Sequence, residues 1–239
     1  MKTPLSEIAV IMAAGLGTRM LPLTEETPKP LLEVNGLPMI ESLIKALIKR
    51  EVSKIFIVVG YKKEQFEYLP LKYSNIELFD NKEYLRKNNI SSIKAAESVL
   101  GIGNCFICEG DLYVADETLF LCEFNQSCYF GRLVEGYSDD WVFETVNDRI
   151  VRVKKGGDSL FNMSGVSYWL ENDTKIIIES TSAAYEEENH ADLFWDEIVD
   201  RELHRMNVGV HPTTQSQIVE IDTVQELIAA NKKYRRNQG

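Results

Sequence analysis

Ile8-Ala9-Val10-Ile11-Met12-Ala13-Ala14-Gly15-Leu16-Gly17-Thr18-Arg19 is the stretch that decides the fold. Its apolar run, residues 8–12, reads as a buried first strand. The strand opens directly into a glycine-rich loop, where backbone N–H groups can approach a polyphosphate without side-chain obstruction. Lys29 follows in Thr27-Pro28-Lys29-Pro30. Arg19 offers a planar fork of donors to phosphate oxygens, and Lys29 a compact charge suited to a single phosphate. The loop lacks the Gly-Lys-Ser/Thr ending of a P-loop. It also lacks the third glycine of the dinucleotide fingerprint, because Met20 stands three residues after Gly17.

Working outward, short apolar runs alternate with amphipathic stretches. Residues 38–49 carry helical periodicity, and Lys54-Ile55-Phe56-Ile57-Val58-Val59-Gly60 is a continuous apolar strand. A helical piece near 63–68, a short strand at 76–79 and a helix over 89–96 entered through polar caps come next. Cys105-Phe106-Ile107-Cys108-Glu109-Gly110-Asp111 is another buried strand ending in an acid. This alternation predicts an α/β fold with a doubly wound, mostly parallel mixed sheet of Rossmann-like type. The second half changes texture. Strands are expected at 127–134, 141–146, 149–153 and 164–170, with a turn at Gly156-Gly157-Asp158. Helices are expected near 172–188 and 192–203. A last strand, Val219-Glu220-Ile221-Asp222, leads into a C-terminal helix that Asp222 or Thr223 caps. No linker or internal repeat interrupts the chain. It is read as one domain, 1–239, with a nucleotide-binding half (1–115) and a smaller β-rich half (116–239) for acceptor and metal.

Bulk properties narrow the classes. The 239 residues suffice for a substantial core, and their net charge of −11 argues against a nucleic-acid partner. No apolar run is long enough to span a bilayer, and residues 1–7 have no signal-peptide core, so a cytoplasmic protein without a membrane partner is expected. The basic tail, Lys232-Lys233-Tyr234-Arg235-Arg236, reads as a solvated helix end. Cys105 and Cys108 lie three apart on a strand and so face opposite ways, which excludes a zinc ribbon and makes the four cysteines reduced and mostly buried thiols. His190, His204 and His211 show no ligand spacing.

The acids offer a metal site. Asp111 ends a parallel strand, where ligands of open sheets collect. Glu220 and Asp222, two apart on a strand, point to one side. Carboxylates converging beside a triphosphate suit Mg²⁺. Aromatic residues mix with acids in the second half: Trp141-Val142-Phe143-Glu144, Tyr168-Trp169 and Asp192-Leu193-Phe194-Trp195-Asp196. Aromatic rings beside a carboxylate suit a quaternary ammonium, whereas a sugar pocket would need more hydrogen-bonding side chains. Tyr168 and Trp169 alternate along a strand, so one of them must be packing.

Gly-x-Gly-Thr-Arg with Pro-Lys-Pro resembles the signature of nucleotidylyltransferases that make activated sugars and alcohols. Adding Val59-Gly60-Tyr61-Lys62-Lys63-Glu64-Gln65-Phe66, Asn88-Asn89-Ile90-Ser91-Ser92, Gly110-Asp111-Leu112-Tyr113, Ser164-Gly165-Val166-Ser167-Tyr168-Trp169, Asp192-Leu193-Phe194-Trp195-Asp196 and Glu220-Ile221-Asp222-Thr223-Val224, nearly the whole chain resembles the bacterial CTP:phosphocholine cytidylyltransferases. The resemblance implies that CTP and phosphocholine are the substrates and that Mg²⁺ assists. It gives the triphosphate to Ala13, Ala14, Gly15, Gly17 and Thr18, with Arg19, Lys29 and Asp111 catalytic. It sets Asn88, Asn89 and Ser91 beside the nucleoside, and Asp111, Glu220 and Asp222 beside the metal. The choline pocket falls to Trp141, Asp192, Phe194 and Trp195. Phe194 stands where this branch has Tyr, so phosphoethanolamine or an aminoalkylphosphonate is an alternative acceptor. A sugar-1-phosphate nucleotidylyltransferase is a further alternative. The intact Arg19, Lys29, Asp111 and Asp222 weigh against an idle regulatory module, and the glycine spacing against a dinucleotide-dependent oxidoreductase.

Overall fold

The protein was analysed as a computed structural model that describes residues 7–235. The reading of residues 1–6 and of Arg236 in the basic tail lies outside these. In chain order the elements are β1 (Ile8–Ala13), β2 (Glu33–Val34), β3 (Leu37–Pro38), α1 (Met39–Lys49), β4 (Lys54–Val59), α2 (Tyr68–Lys72), β5 (Ile76–Asp80) and α3 (Ile90–Ala95). After them come β6 (Cys105–Glu109), β7 (Leu112–Val114), β8 (Ser127–Leu133), β9 (Tyr137–Val146), β10 (Arg149–Asp158) and β11 (Phe161–Trp169). The chain closes with α4 (Glu171–Ala184), α5 (Trp195–Glu202), β12 (Val208–Pro212), β13 (Ile218–Glu220) and α6 (Val224–Lys233).

One nine-stranded sheet, in the order β5-β4-β1-β6-β11-β8-β12-β10-β9, runs through both halves of the chain. The pairs β4–β5, β1–β4 and β1–β6 are parallel. From β11 onward most pairs are antiparallel, β8–β12 being the parallel exception. The continuous apolar runs exist because both faces of the sheet are covered. Ala9 and Ile11 pack with Ile40, Leu43, Ile44 and Leu47 of α1 on one face. Ile8 and Val10 pack with Ile93 of α3, Ile177 of α4 and Val199 of α5 on the other. Cys105 and Cys108 fall in these opposite layers, and all four cysteines are free. Tyr168 and Trp169 likewise divide between the two layers, and both are packing. Among the described residues, no helix is long and apolar enough to cross a membrane.

Four local expectations change. Gly156-Gly157 is not a turn: β10 runs through it, with a register irregularity between Lys155 and Gly157 whose extra residue lies on β9. The helix expected from 192 begins at Trp195, because His190–Asp192 form a separate 3₁₀ turn. The last strand ends at Glu220 and leaves Asp222 beyond it; the strand pairs with β7 rather than joining the main sheet. Asn89 does not cap its own helix with its side chain. Thr223, by contrast, does cap α6, its Oγ1 accepting from the Glu226 amide.

Candidate active site

Ala13 and Glu109 end β1 and β6, so the glycine loop and the acids around Asp111 open into one crevice beyond the carboxyl ends of parallel strands. The crevice holds about 670 Å³. Gly17 makes the loop possible: its φ is +64°, and a Cβ there would lie 2.9 Å from the Lys29 Cβ. Gly15 faces open space, leaving room for a ligand against the backbone. Thr24 Oγ1 donates to the Gly17 carbonyl and ties the loop to the segment that delivers Lys29.

Lys29 is only 7% exposed, so its ammonium must be paired. Nζ donates to Asp111 Oδ2 at 2.5 Å and to Asp222 Oδ1 at 2.5 Å. Burial alone would lower the Lys29 pKa, but the two carboxylates outweigh it and raise the pKa, so the charge is permanent. Arg19 lies 2.6 Å from Asp222 Oδ1 with its side chain two-thirds exposed, open to an anion in the cleft. Asp222 arrives here through two contacts. The Ile221 amide donates to the Asp111 carbonyl, and Ile221 and Leu227 pack with Met20, Leu32 and Met39.

The acids group differently from the sequence expectation. Ligand atoms of Glu109, Asp111 and Glu220 all lie within 4.8 Å of one another, while Asp222 is held by the two cations. Like charges packed this closely call for a cation or a proton. Glu109 is raised well above the usual carboxylate range, first by burial and then by the charges of Glu220 and Asp111. Asp111 Oδ1 is buried with no hydrogen-bond partner among the described residues. An orphaned oxygen inside an all-oxygen acidic set is the donor chemistry of a hard divalent cation. Glu109 carries no signal of its own in the sequence, where it reads as strand: it ends β6, Asp111 follows in the turn to β7, and only the fold brings the two together with Glu220.

Ala13, Ala14, Gly15, Gly17, Thr18, Arg19, Lys29, Asn88, Asn89, Ser91, Asp111, Glu220 and Asp222 all line the cleft, as do Trp141 and Phe194. Asn81 and Tyr84, not singled out from sequence, join the wall of Asn88, Asn89 and Ser91. Asn81 Nδ2 donates to Ser91 Oγ at 2.9 Å, which fixes the direction of that wall. Asn89 Oδ1 accepts from the Trp195 amide and so joins α3 to the start of α5.

Two residues expected at the acceptor end are elsewhere. Asp192 is exposed on its 3₁₀ turn and is absent from the cleft lining; its carbonyl accepts from Asn88 Nδ2. Trp195 is 3% exposed and sits in the core against Tyr129 and Trp169. The reason is the face of α5: Trp195, Ile198 and Val199 turn inward, while Phe194 precedes the helix in extended backbone and reaches the cleft. There the rings of Phe194 and Trp141 meet edge to face, centroids 5.3 Å apart. Asp139, Asp140 and Lys155 complete this end.

The sequence pattern of the family described as nucleotidyl transferase matches residues 8–127, from the first strand to the first residue of β8. This chain belongs to that nucleotidyl transferase family. A 2-aminoethylphosphonate cytidylyltransferase of Lancefieldella rimae is 49% identical over 95% of this chain and 92% of its own. A choline-phosphate cytidylyltransferase of Streptococcus pneumoniae is 35% identical over 91% of this chain and 94% of its own. The solved CTP:phosphocholine cytidylyltransferase of Streptococcus pneumoniae superposes with a TM-score of 0.88 at 31% identity, covering 95% of this chain and 99% of that one. A protein described as a glucose-1-phosphate thymidylyltransferase from Bacillus anthracis shares the fold, with a TM-score of 0.79 at 18% identity and 98% and 97% coverage. The nucleotidyl transferase fold therefore accounts for the nine-stranded sheet, and this member's likeness to cytidylyltransferases spans both halves.

Proposed function

We propose that this nucleotidyl transferase joins CTP to a small acceptor bearing a phosphonate or phosphate at one end and a primary ammonium at the other, releasing pyrophosphate. The observation that carries the reading is one cleft with the glycine loop and Lys29 at one end and an acidic, aromatic wall at the other. The likeness to a 2-aminoethylphosphonate cytidylyltransferase makes that compound the first acceptor to test.

An acceptor oxygen attacks the α-phosphorus of CTP in line; a new P–O bond forms as the bond to pyrophosphate breaks, and pyrophosphate leaves with the electron pair. The acceptor is already anionic near neutral pH, so positioning and charge stabilisation suffice and no strong base is needed. Lys29, held between Asp111 and Asp222, offers its ammonium to the reacting phosphate without reorganisation. Arg19 and the Gly15–Gly17 loop receive the departing phosphates. Asn88, Asn89 and Ser91 face the nucleoside. Glu109, Asp111 and Glu220 would hold Mg²⁺, which supplies neutralisation of phosphate charge.

Phosphocholine is the second reading, favoured by the Trp141–Phe194 ring pair and by the choline-phosphate cytidylyltransferase relatives. Pyrophosphate release with Mg²⁺ distinguishes the two: CTP, UTP, GTP, dTTP and ATP are each paired with 2-aminoethylphosphonate, phosphoethanolamine, phosphocholine and glucose-1-phosphate. Turnover confined to CTP, with primary-ammonium acceptors ahead of phosphocholine and loss on chelation, is expected. Turnover with glucose-1-phosphate alone overturns the reading.

A further inference from the structure

The ring pair that would receive a quaternary ammonium already holds a cation of the protein itself. Lys155 Nζ lies 4.1 Å from the Phe194 ring centroid and 5.3 Å from that of Trp141. Among the described residues Lys155 forms no ion pair and no side-chain hydrogen bond, although Asp139 and Asp140 line the same end of the cleft. We propose that Lys155 selects the acceptor: its ammonium occupies the Trp141–Phe194 rings, so trimethylammonium acceptors are disfavoured and primary-ammonium acceptors are taken by Asp139 and Asp140.

Three elements set this geometry. Lys155 is the direct cross-strand partner of Trp141 in the β9–β10 ladder. In the irregularity that follows, three steps of β9 (Trp141 to Ser138) oppose two of β10 (Lys155 to Gly157, with Gly156 at φ +73°), so the extra residue falls at Asp139–Asp140 beside the rings. Asp200 of α5 clamps β10 from below. It accepts the Val153 amide at 2.7 Å and pairs with Arg152 at 2.9 Å, holding the strand to the helix that Phe194 precedes.

The discrimination follows from the chemistry of the two head groups. A trimethylammonium has no N–H and gains its recognition from ring faces, which Lys155 occupies with the same sign of charge. A primary ammonium has three donors and is satisfied by carboxylates. Asp140 is held for this: its Oδ2 accepts from Asn162 Nδ2 at 3.0 Å. Asp139 and Asp140 are consecutive in β9, yet both line the cleft, because the ladder shifts register there and breaks the alternation of faces. Phe194 has no hydroxyl to add a polar contact, so the rings offer a cation only their faces.

The proposal rests on the cytidylyltransferase reading for its substrates, and its test separates the two. Lys155→Met and Lys155→Arg are compared with the parent protein in two assays. In the first, kcat/KM with CTP is measured for phosphocholine and for 2-aminoethylphosphonate. The phosphocholine-to-aminoethylphosphonate ratio should rise at least about threefold in Lys155→Met, the size of an exposed cation–π contact, and stay at the parent value in Lys155→Arg. General damage to the fold would lower both activities and leave the ratio unmoved. In the second assay, tetramethylammonium and methylammonium are titrated against tryptophan fluorescence, with no turnover involved. Tetramethylammonium should bind Lys155→Met at least about threefold tighter than the parent. Equal affinity, or an equal ratio in all three proteins, overturns the role of Lys155. If the parent releases no pyrophosphate with any ammonium acceptor, the cytidylyltransferase reading fails, and the titration by itself still decides whether Lys155 fills the rings.

Discussion

At the scale of single residues, Lys29 is the cation on which Asp111 and Asp222 converge. A buried ammonium survives only between partners, and those partners come from distant parts of the chain, 82 and 193 residues away in sequence. Lys29→Met should reduce kcat by about 10²–10³, the effect of removing one preorganised donor from a developing negative charge. Single-turnover measurement checks this, and a loss confined to KM would mean that Lys29 only binds the nucleotide. Its place in the cleft was legible from Pro28-Lys29-Pro30, because the prolines and the glycine loop form a local signature. Glu109 was not legible in the same way, since its company with Asp111 and Glu220 is created by folding. Lys155 carried no sequence signal at all: a lone lysine in a strand becomes informative only when its ring partners are seen.

At the scale of elements, the join between α3 and α5 sets the aromatic end of the cleft. Asn89 Oδ1 accepts the first backbone amide of α5, a group no turn of that helix can satisfy. Asn89→Ala should cost about 0.5–2 kcal/mol, as loss of a capping side chain does. In thermal denaturation that is a fall of a few degrees for a protein this size, roughly 2–4 °C per kcal/mol. Phe194 immediately precedes that helix, so KM for the acceptor should rise with the destabilisation. A variant with parent stability and parent KM would show the bond to be idle. Periodicity revealed α3 and α5 as helices, yet it placed the start of α5 too early, because the 190–192 turn continues the polar pattern without continuing the helix. Gly156-Gly157 looked like a turn for the same local reason, and only pairing with β9 shows that the glycines lie in a strand.

At the scale of the whole molecule, a buried acid couples stability to pH. Asp196 is enclosed between α5 and the sheet, where Tyr129 donates to it at 2.9 Å. Burial pushes its pKa up to about 7, partly offset by the Tyr129 hydrogen bond, with Glu197 adding repulsion. The folded protein therefore keeps this proton over a range where the unfolded chain, near the ordinary aspartate value of 3.8, has released it. Stability from this group is full at pH below about 4 and is lost progressively as pH rises to about 7. Relative to Asp196→Asn, which cannot ionise, the parent protein should lose about 2–3 kcal/mol between pH 5 and pH 8. Urea unfolding at the two pH values measures the difference, and parallel profiles would place the charge of Asp196 outside the core.

The sequence alone determined the first strand, the glycine loop, the α/β alternation and the pair Arg19 and Lys29. Each of these is written within a few neighbouring residues, where period, turn chemistry and charge act locally. The tertiary structure decided what meets across the cleft. It brought β13 to β7 and so Glu220 to Asp111, turned Trp195 inward and Phe194 outward, and set Lys155 on the rings. Those outcomes depend on which face of an element is buried and which strand pairs with which. Both are settled by contacts between residues far apart in the chain, and no local pattern encodes them.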